Sequence, residues 1–316
     1  MKTSCRFAPF PIQSRAGFTL IELFAVITAV AVLAVVLLPA LAGTKPNTRA
    51  FQCMNNERQL VLGWQMYAND NQGILAQNDF PWLTAYRGQT PATQAEMRNW
   101  VVGTMTESLD ANSSSAQSIA ELSDPNTELS PYVKNYKVYH CPADNYSNPL
   151  DSGHVNLRSC SMNSAVGTIG YAFYISGSPP LNSPVQGGWL PGSAYNPSQT
   201  AWLTYGKTSS FSRPGPANTF VIIDENPFSI DDGLISIPAF ATPGSTYLID
   251  FPSGLHGAAG VISFADGHVI VYKWLDRRTY TPQGLISGGQ GGAGSYLQTP
   301  DNPDCFYLAS ITSAPR

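Results

Sequence analysis

An uninterrupted apolar segment near the N-terminus constrains this chain more than any other feature. Residues 18–38 read FTLIELFAVITAVAVLAVVLL, and Glu22 is the only charged residue among them. A helix of this length extends for about 31 Å, which is roughly the thickness of the hydrocarbon core of a bilayer. The segment therefore predicts a transmembrane helix over residues 18–38.

The charges around this segment predict its orientation. Lys2, Arg6 and Arg15 precede it, and no acidic residue lies among them. Because positive charge tends to stay on the cytoplasmic side, we expect a single-pass inner-membrane protein with a cytoplasmic N-terminus and a periplasmic head. The whole chain has a net charge of −4, and this weakly acidic balance does not favour nucleic acid as a partner.

The residues that open the apolar segment carry a family resemblance. Residues 15–22 read RAGFTLIE, which resembles the recognition sequence that prepilin peptidase cleaves in type IV pilins and type II secretion pseudopilins. The resemblance implies removal of residues 1–17 by cleavage between Gly17 and Phe18, and N-methylation of Phe18. It also implies that Glu22 pairs with the Phe18 amine of a neighbour during assembly. The implied partners are prepilin peptidase, other pilin or pseudopilin subunits and an inner-membrane assembly platform.

Two other interpretations of the N-terminus compete with this one. An ordinary secretory signal would be cleaved after the small-residue pattern at residues 40–42, before Gly43. An uncleaved signal anchor would make the RAGFTLIE match accidental. The length of the apolar run and the charge of Glu22 within it argue against a simple secretory signal. A match over all eight positions argues against an accident.

A second helical pattern follows the apolar segment. After Pro46, apolar and aromatic residues recur at helical spacing, and the sequence NDNQG at residues 69–73 ends the pattern. We therefore predict one long N-terminal helix over residues 18–72, with a break between Pro39 and Pro46. The apolar stripe of its second half is expected to pack on a sheet.

The remaining residues, 73–316, predict a β-rich extracytoplasmic head. The chain contains 27 glycines and 25 prolines, and only 12% of its residues are charged, a composition typical of short strands and long loops. Asp266 and Gly267 separate two alternating runs and predict a β-hairpin. The expected fold class is α+β and pilin-like: a long N-terminal transmembrane helix packed on an antiparallel β-sheet head with large loop insertions.

Four motifs outside the apolar segment carry a second resemblance. They are R-x-x-x-C-x-x-N at residues 49–56, HCPAD at residues 140–144, FVIIDENP at residues 220–227, and His256 followed after nine residues by Asp266-Gly267. Together they resemble the large pilin-like proteins of planctomycete and verrucomicrobial type. This resemblance implies a pilin-like component and does not supply a substrate.

The cysteines predict disulfides in an oxidising compartment. The chain has five, and cleavage after Gly17 would discard Cys5. The four that remain allow three pairings, among which the sequence cannot choose: Cys53, Cys141, Cys160 and Cys305. Buried free thiols are the alternative, because cysteine is often an ordinary core residue.

Two sets of side chains are candidate metal ligands, although no cofactor is required by the predicted function. The first is an acidic cluster after an apolar strand, whose oxygen ligands suit calcium: Asp224, Glu225, Asp231 and Asp232. It lacks the spacing of an EF-hand. The second would place Glu225 with imidazole and carboxylate ligands around a transition metal: His256, Asp266 and His268.

The sequence favours a structural function over a catalytic one. It contains no Gly-x-Ser-x-Gly elbow, P-loop or Rossmann fingerprint, so we do not expect an enzyme. We predict a structural subunit of a type II secretion pseudopilus or type IV pilus-like fibre. The alternative is a membrane-anchored or secreted protein that binds glycans or calcium and uses a pilin-like export signal. A third possibility is an extracytoplasmic metal hydrolase.

Overall fold

The computed structural model describes residues 19–78, 98–101, 122, 127–146, 155–169, 180–192, 201–230, 232–281 and 297–316. Within the first helix it describes side chains at residues 20–33 and from residue 49 onward. The predicted leader, 1–17, and the cleavage site at Gly17 and Phe18 lie outside the described residues. The chain divides into two units, Met1–Lys45 and Pro46–Arg316.

The first element is a long helix, α1, which covers Leu20–Asp70. Thr19 and Glu22 cap its start reciprocally: the Thr19 backbone N–H donates to Glu22 Oε2 at 2.8 Å, and the Glu22 N–H donates to Thr19 Oγ1 at 3.3 Å. At the other end Gly73, with φ of 81°, closes the last turn by donating its N–H to the Ala68 carbonyl at 2.7 Å. The sequence predicted this end within two residues.

The predicted break between Pro39 and Pro46 is wrong, because both prolines lie inside α1. A proline cannot donate a helical hydrogen bond. The other hydrogen bonds of a long helix can still keep the backbone helical on both sides of the proline. The division of the chain into two units nevertheless falls immediately before Pro46.

The predicted transmembrane helix over residues 18–38 is also wrong. Among the described residues, no helix combines the length and the apolar character needed to cross a membrane. A span needs about 20 consecutive apolar residues in one helix. The membrane-spanning part of the predicted fold class is therefore overturned. The single-pass inner-membrane location, which rested on the same helix, is overturned with it.

The head is built around a five-stranded sheet. In chain order its strands are β1 (Cys160–Asn163), β2 (Phe220–Asp224), β3 (Leu234–Ile235), β5 (Ala259–Phe264) and β6 (Val269–Lys273). A separate two-stranded sheet pairs β4 (Tyr247–Leu248) with β7 (Leu297–Gln298), and a second helix, α2 (Pro303–Thr312), ends the chain.

The sheet is mixed, which corrects the predicted antiparallel sheet. Its strand order is β3-β1-β2-β5-β6, and β1 and β3 pair in parallel, with Met162 opposite Leu234. β1 lies between β2 and β3 and pairs antiparallel with β2, so β3 also runs opposite to β2. The predicted hairpin is confirmed as β5 and β6, joined through Gly267 at φ of 93°.

The two faces of this sheet carry different apolar clusters. On one face Leu60, Val61 and Trp64 of α1 share a cluster with Val221 of β2 and Val261 of β5. The other cluster contains α2 residues together with the alternate strand positions, listed as Ile223, Ile262, Phe264, Leu308 and Ile311. The predicted packing of the α1 stripe on a sheet is confirmed, and this layer of the core surrounds the site described next.

Candidate functional site

Four side chains of metal-binding type converge between α1 and the sheet. Cys53 lies on α1, Cys141 follows the 3-10 turn Tyr136–Tyr139, Asp224 ends β2, and His256 lies in the turn before β5. All four are buried, and one ligand atom from each lies within 4.8 Å of the others. Four residues that are far apart in the sequence thus form one group, which we call the Cys2AspHis cluster.

Local structure fixes each of these side chains. Asp224 is held at the sheet because the Val261 N–H donates to its Oδ2 at 3.1 Å. The N–H of His256 donates to the Ala259 carbonyl at 3.2 Å, across a turn in which Gly257 has φ of 75°. Such positive φ values suit glycine, so the turn that presents His256 depends on its glycine neighbour.

The turn that carries Cys141 is held by hydrogen bonds within the turn and by one from α1. The Asp144 N–H donates to the Cys141 carbonyl at 2.9 Å, and the Ala143 N–H donates to Cys141 Sγ at 3.4 Å. The Asn56 side chain of α1 donates from Nδ2 to the His140 carbonyl at 3.2 Å. The position of the Cys141 thiol is therefore set by the helix that also carries Cys53.

The distances within the Cys2AspHis cluster are those of direct polar contacts. The Cys53 thiol donates to Asp224, with Sγ 3.1 Å from Oδ1 and 3.2 Å from Oδ2. Nε2 of His256 lies 3.3 Å from Oδ2 of Asp224 and 3.3 Å from Sγ of Cys141. Asp224 and Cys141 thus both face the same ring nitrogen of His256.

Burial and mutual contact shift the pKa values in the cluster. A hydrogen bond with Cys53, and then contact with His256, lowers the pKa of Cys141 to about 7 against the opposing effect of burial. Burial disfavours the imidazolium of His256, but hydrogen bonds to Asp224 and Cys141 outweigh it and raise the pKa of His256 to about 10. The hydrogen bond with Cys141 and burial raise the pKa of Cys53 well above its usual value. Cys141 is thereby the thiol that most readily gives up its proton.

A fifth ionisable side chain, Glu57, lies one helical turn beyond Cys53 on α1. It is 1% exposed, and neither of its carboxyl oxygens makes a well-formed hydrogen bond among the described residues. Burial, and then the charge of Asp224, raises the pKa of Glu57 well above its usual value. Weaker contacts with Ser263 and the backbone of Asp224 oppose this rise in its pKa. Glu57 was not among the predicted site residues, although a lone acidic residue in an apolar helical stripe is a signal that could have identified it.

The predicted disulfide cysteines are all free and buried in the structure. Cys53 and Cys141 are neighbours in the Cys2AspHis cluster. Cys160 donates from Sγ to the Tyr139 carbonyl at 3.6 Å, and Cys305 of α2 donates to the Tyr247 carbonyl at 3.7 Å. The structure therefore brings two of the four together.

The predicted calcium ligands have separate partners. Asp224 faces the Cys2AspHis cluster, Glu225 accepts a hydrogen bond from Ser229 Oγ at 2.9 Å, and Asp232 accepts one from the Leu234 N–H at 2.8 Å. Asp231 lies outside the described residues. The three described acids are not gathered into one group of ligand atoms.

The weaker transition-metal set is divided as well. His256 belongs to the Cys2AspHis cluster, whereas Asp266 and His268 form an exposed pair at the β5–β6 turn, with Oδ1 and Nδ1 2.6 Å apart. Of the four residues in the cluster, Asp224 was a predicted calcium ligand and His256 a predicted transition-metal ligand. The two cysteines of the cluster were predicted to form disulfides. Each of the four residues comes from a different one of the four motifs that carried the second family resemblance.

The cluster is not arranged as a cysteine nucleophile with a histidine base. In such a triad the third group binds the ring nitrogen that faces away from the thiol, but Asp224 contacts the same Nε2 as Cys141. Nδ1 of His256 has no hydrogen-bond partner among the described residues. A cleft of about 480 Å³ is lined by Asn56 and His140 but by none of the four ligands. The geometry suits ion binding better than attack on a substrate.

Comparisons with known proteins leave the family open. No protein-family model matches the chain, and neither a curated protein nor a solved structure is significantly similar to it.

The second feature of functional interest is the N-terminal part of α1. All side chains described from residue 20 to residue 33 are exposed, and Leu20 and Ile21 are 81% and 80% exposed. The exposure continues around the whole helix and is not confined to one face. Glu22 is the only charged residue in this stretch. Hydrogen bonds from the Thr19 backbone and hydroxyl lower the pKa of its carboxyl group.

Proposed function

We propose that the protein is a structural subunit that assembles with copies of itself through the N-terminal part of α1, in a type IV pilus-like or type II secretion pseudopilus-like fibre. The observation that carries this proposal is the run of exposed large apolar side chains in that part of the helix: Leu20, Ile21, Leu23, Phe24, Val26, Ile27, Val30, Val32 and Leu33. The resemblance of residues 15–22 to a prepilin cleavage sequence supports it.

The exposed apolar surface in the N-terminal part of α1 is unfavourable in water. A helix that is apolar on all sides is stable only when it is surrounded, and burial contributes about 25 cal/mol per Å² of apolar surface. One partner surface would cover one face of the helix. A bundle of the same helix from several copies covers every face, so further copies of this chain are the occupants that fit best.

Glu22 gives such a bundle a means of setting register. Its ionised carboxylate would be costly to bury among apolar helices unless it met a positive charge. Cleavage after Gly17 would create an α-amino group at Phe18, four residues before Glu22. In the proposed assembly the amine of one copy pairs with the Glu22 carboxylate of its neighbour.

The assembly proposal is tested by placing a charge in the apolar segment of the full mature chain. Phe24→Asp is expected to abolish fibres in negative-stain electron microscopy and to leave monomers in sedimentation velocity, because the new carboxylate has no partner in the bundle. Leu275→Asp is the matched control, since Leu275 is 73% exposed and lies outside α1. Monomeric wild-type protein, or fibres of undiminished length from Phe24→Asp, would contradict the proposal.

A further inference from the structure

We propose that the Cys2AspHis cluster binds one zinc ion, Zn²⁺, which has a structural role and joins α1 to the sheet of the head. Its ligands would be Sγ of Cys53, Sγ of Cys141, a carboxylate oxygen of Asp224 and Nε2 of His256. This inference is independent of fibre assembly, because all four ligands lie in the unit Pro46–Arg316.

Three of the six separations between the ligand atoms are close to the edges of a small tetrahedron, and the other three are at most 4.8 Å. A zinc ion with Zn–S of about 2.3 Å and Zn–N and Zn–O of about 2.0 Å holds N and O about 3.3 Å apart, and S about 3.5 Å from either. The measured N–O separation is 3.3 Å, the Cys141–His256 separation is 3.3 Å, and Cys53 Sγ lies 3.1 Å from Asp224. Small outward movements of the side chains would admit the ion.

The chemistry of the donors selects the class of metal. Two thiolates and an imidazole are soft or borderline ligands, which favour zinc over calcium or magnesium. Four protein ligands complete a tetrahedron and leave no position for substrate, as in structural rather than catalytic zinc sites. Burial of all four residues agrees with a closed site.

A buried acid, Glu57, borders the cluster. It is 1% exposed and lies close enough to interact with Asp224 and Cys141. Because the ion replaces two protons, the net charge beside Glu57 is the same before and after zinc binds. Burial, and then the charge of Asp224, raises the pKa of Glu57, so this neighbour can keep its proton in either state.

Zinc binding releases two protons. The ion replaces two protons of the cluster, one from Cys53 and one held by Cys141 and His256, and both pass to solvent. The product has two zinc–thiolate bonds, one zinc–carboxylate bond and one zinc–imidazole bond. No oxidant or reductant takes part.

The proposed ion would connect segments that are distant in the sequence. Cys53 belongs to α1, Asp224 ends the central strand β2, and Cys141 and His256 come from two separate turns. A metal bond to each would hold the helix, the strand and both turns in one arrangement. Loss of the ion should therefore loosen α1 from the sheet before it affects α2.

The test is metal analysis of the full chain, purified with reductant, together with Co²⁺ as a spectroscopic probe. We expect about one zinc per chain and, after exchange, the strong thiolate-to-cobalt absorption of a tetrahedral site. Cys141→Ser and Asp224→Asn should each lower zinc to below about a tenth per chain. Cys305→Ser is the control, because Cys305 is a buried free cysteine outside the cluster.

A second measurement separates loss of metal from loss of fold. Chelation of the wild-type chain should lower its melting temperature, and added zinc should restore it, whereas Cys141→Ser should show neither change while keeping its circular dichroism spectrum. Wild-type protein that is reduced and folded but takes up neither zinc nor cobalt would overturn the proposal. A Cys53–Cys141 disulfide would overturn it too if its reduction did not restore metal uptake.

Discussion

Glu57 is the residue whose surroundings depart most from the pattern of the helix that carries it. Its neighbours in the same stripe, Cys53 and Leu60, belong to the apolar cluster beneath α1, yet Glu57 is a buried acid without a well-formed hydrogen bond among the described residues. Glu128 is also a buried acid, but it accepts hydrogen bonds from the Gln77 N–H at 2.6 Å and the Tyr67 hydroxyl at 2.7 Å. The two residues form a matched pair.

The pair predicts opposite effects of the same substitution. In metal-free protein, Glu57→Met should raise the free energy of unfolding by about 1 kcal/mol, because it removes an unsatisfied buried polar group. Glu128→Met should lower it by about 2 kcal/mol, since it leaves two buried donors unpaired. Urea unfolding followed by tryptophan fluorescence measures both. Equal losses from the two variants would show that the contacts with Ser263 and the backbone of Asp224 satisfy the Glu57 carboxyl group.

All four residues of the Cys2AspHis cluster were predicted from the sequence as site residues, but they were assigned to three different sites. Cys53 and Cys141 were candidates for disulfides, Asp224 for calcium, and His256 for a site with Asp266 and His268. The grouping depends on which end of β2 meets α1 and on a turn with positive φ at Gly257. Neither follows from residue spacing along the chain.

Among the elements, α1 and the segment before the 3-10 turn Tyr136–Tyr139 approach so closely that a glycine is required. A Cβ added at Gly63 would lie 2.5 Å from Cγ2 of Val133, a residue of the buried core. Real Cβ atoms do not approach that closely, so one of the two segments would have to move. The contact is inside the unit Pro46–Arg316.

A double substitution separates this contact from helix propensity. Gly63→Ala alone should destabilise the protein by about 1–3 kcal/mol through overpacking. In a Val133→Ala background, which removes the clashing methyl group, the same change should instead stabilise by up to about 1 kcal/mol, because alanine is the better helix former. Thermal unfolding of the four proteins measures the coupling. A loss that is unchanged in the Val133→Ala background would refute the steric explanation.

The elements differ in how far the sequence could predict them. The α1 stripe and the β5–β6 hairpin have periodic patterns and turn residues, and both were predicted. Strand β1 has no alternation, since all four of its residues are buried. Its polar residue Asn163 is satisfied by donating to the carbonyls of Phe220 and Thr312 at 2.9 and 3.0 Å. Those partners are distant in sequence, so the strand and its parallel pairing with β3 had no local signal.

At the scale of the whole molecule, the chain comprises two units with different requirements. The unit Pro46–Arg316 has its own apolar clusters on both faces of a sheet. In the unit Met1–Lys45, the described side chains of α1 are exposed. In the proposed assembly, further copies of the chain cover the exposed helix of the unit Met1–Lys45. The unit Pro46–Arg316 is stabilised by its own core and by the zinc ion.

The mass of the mature N-terminus distinguishes the proposed assembly from the other ways of processing this chain. Assembly as proposed requires loss of residues 1–17 and retention of the apolar segment, so protein from cells that contain a prepilin peptidase should begin with an N-methylated Phe18. Mass spectrometry of the N-terminal peptide gives the answer. A terminus at Gly43 would remove the assembly segment, and an intact Met1 would leave the leader in place; either result would contradict the account.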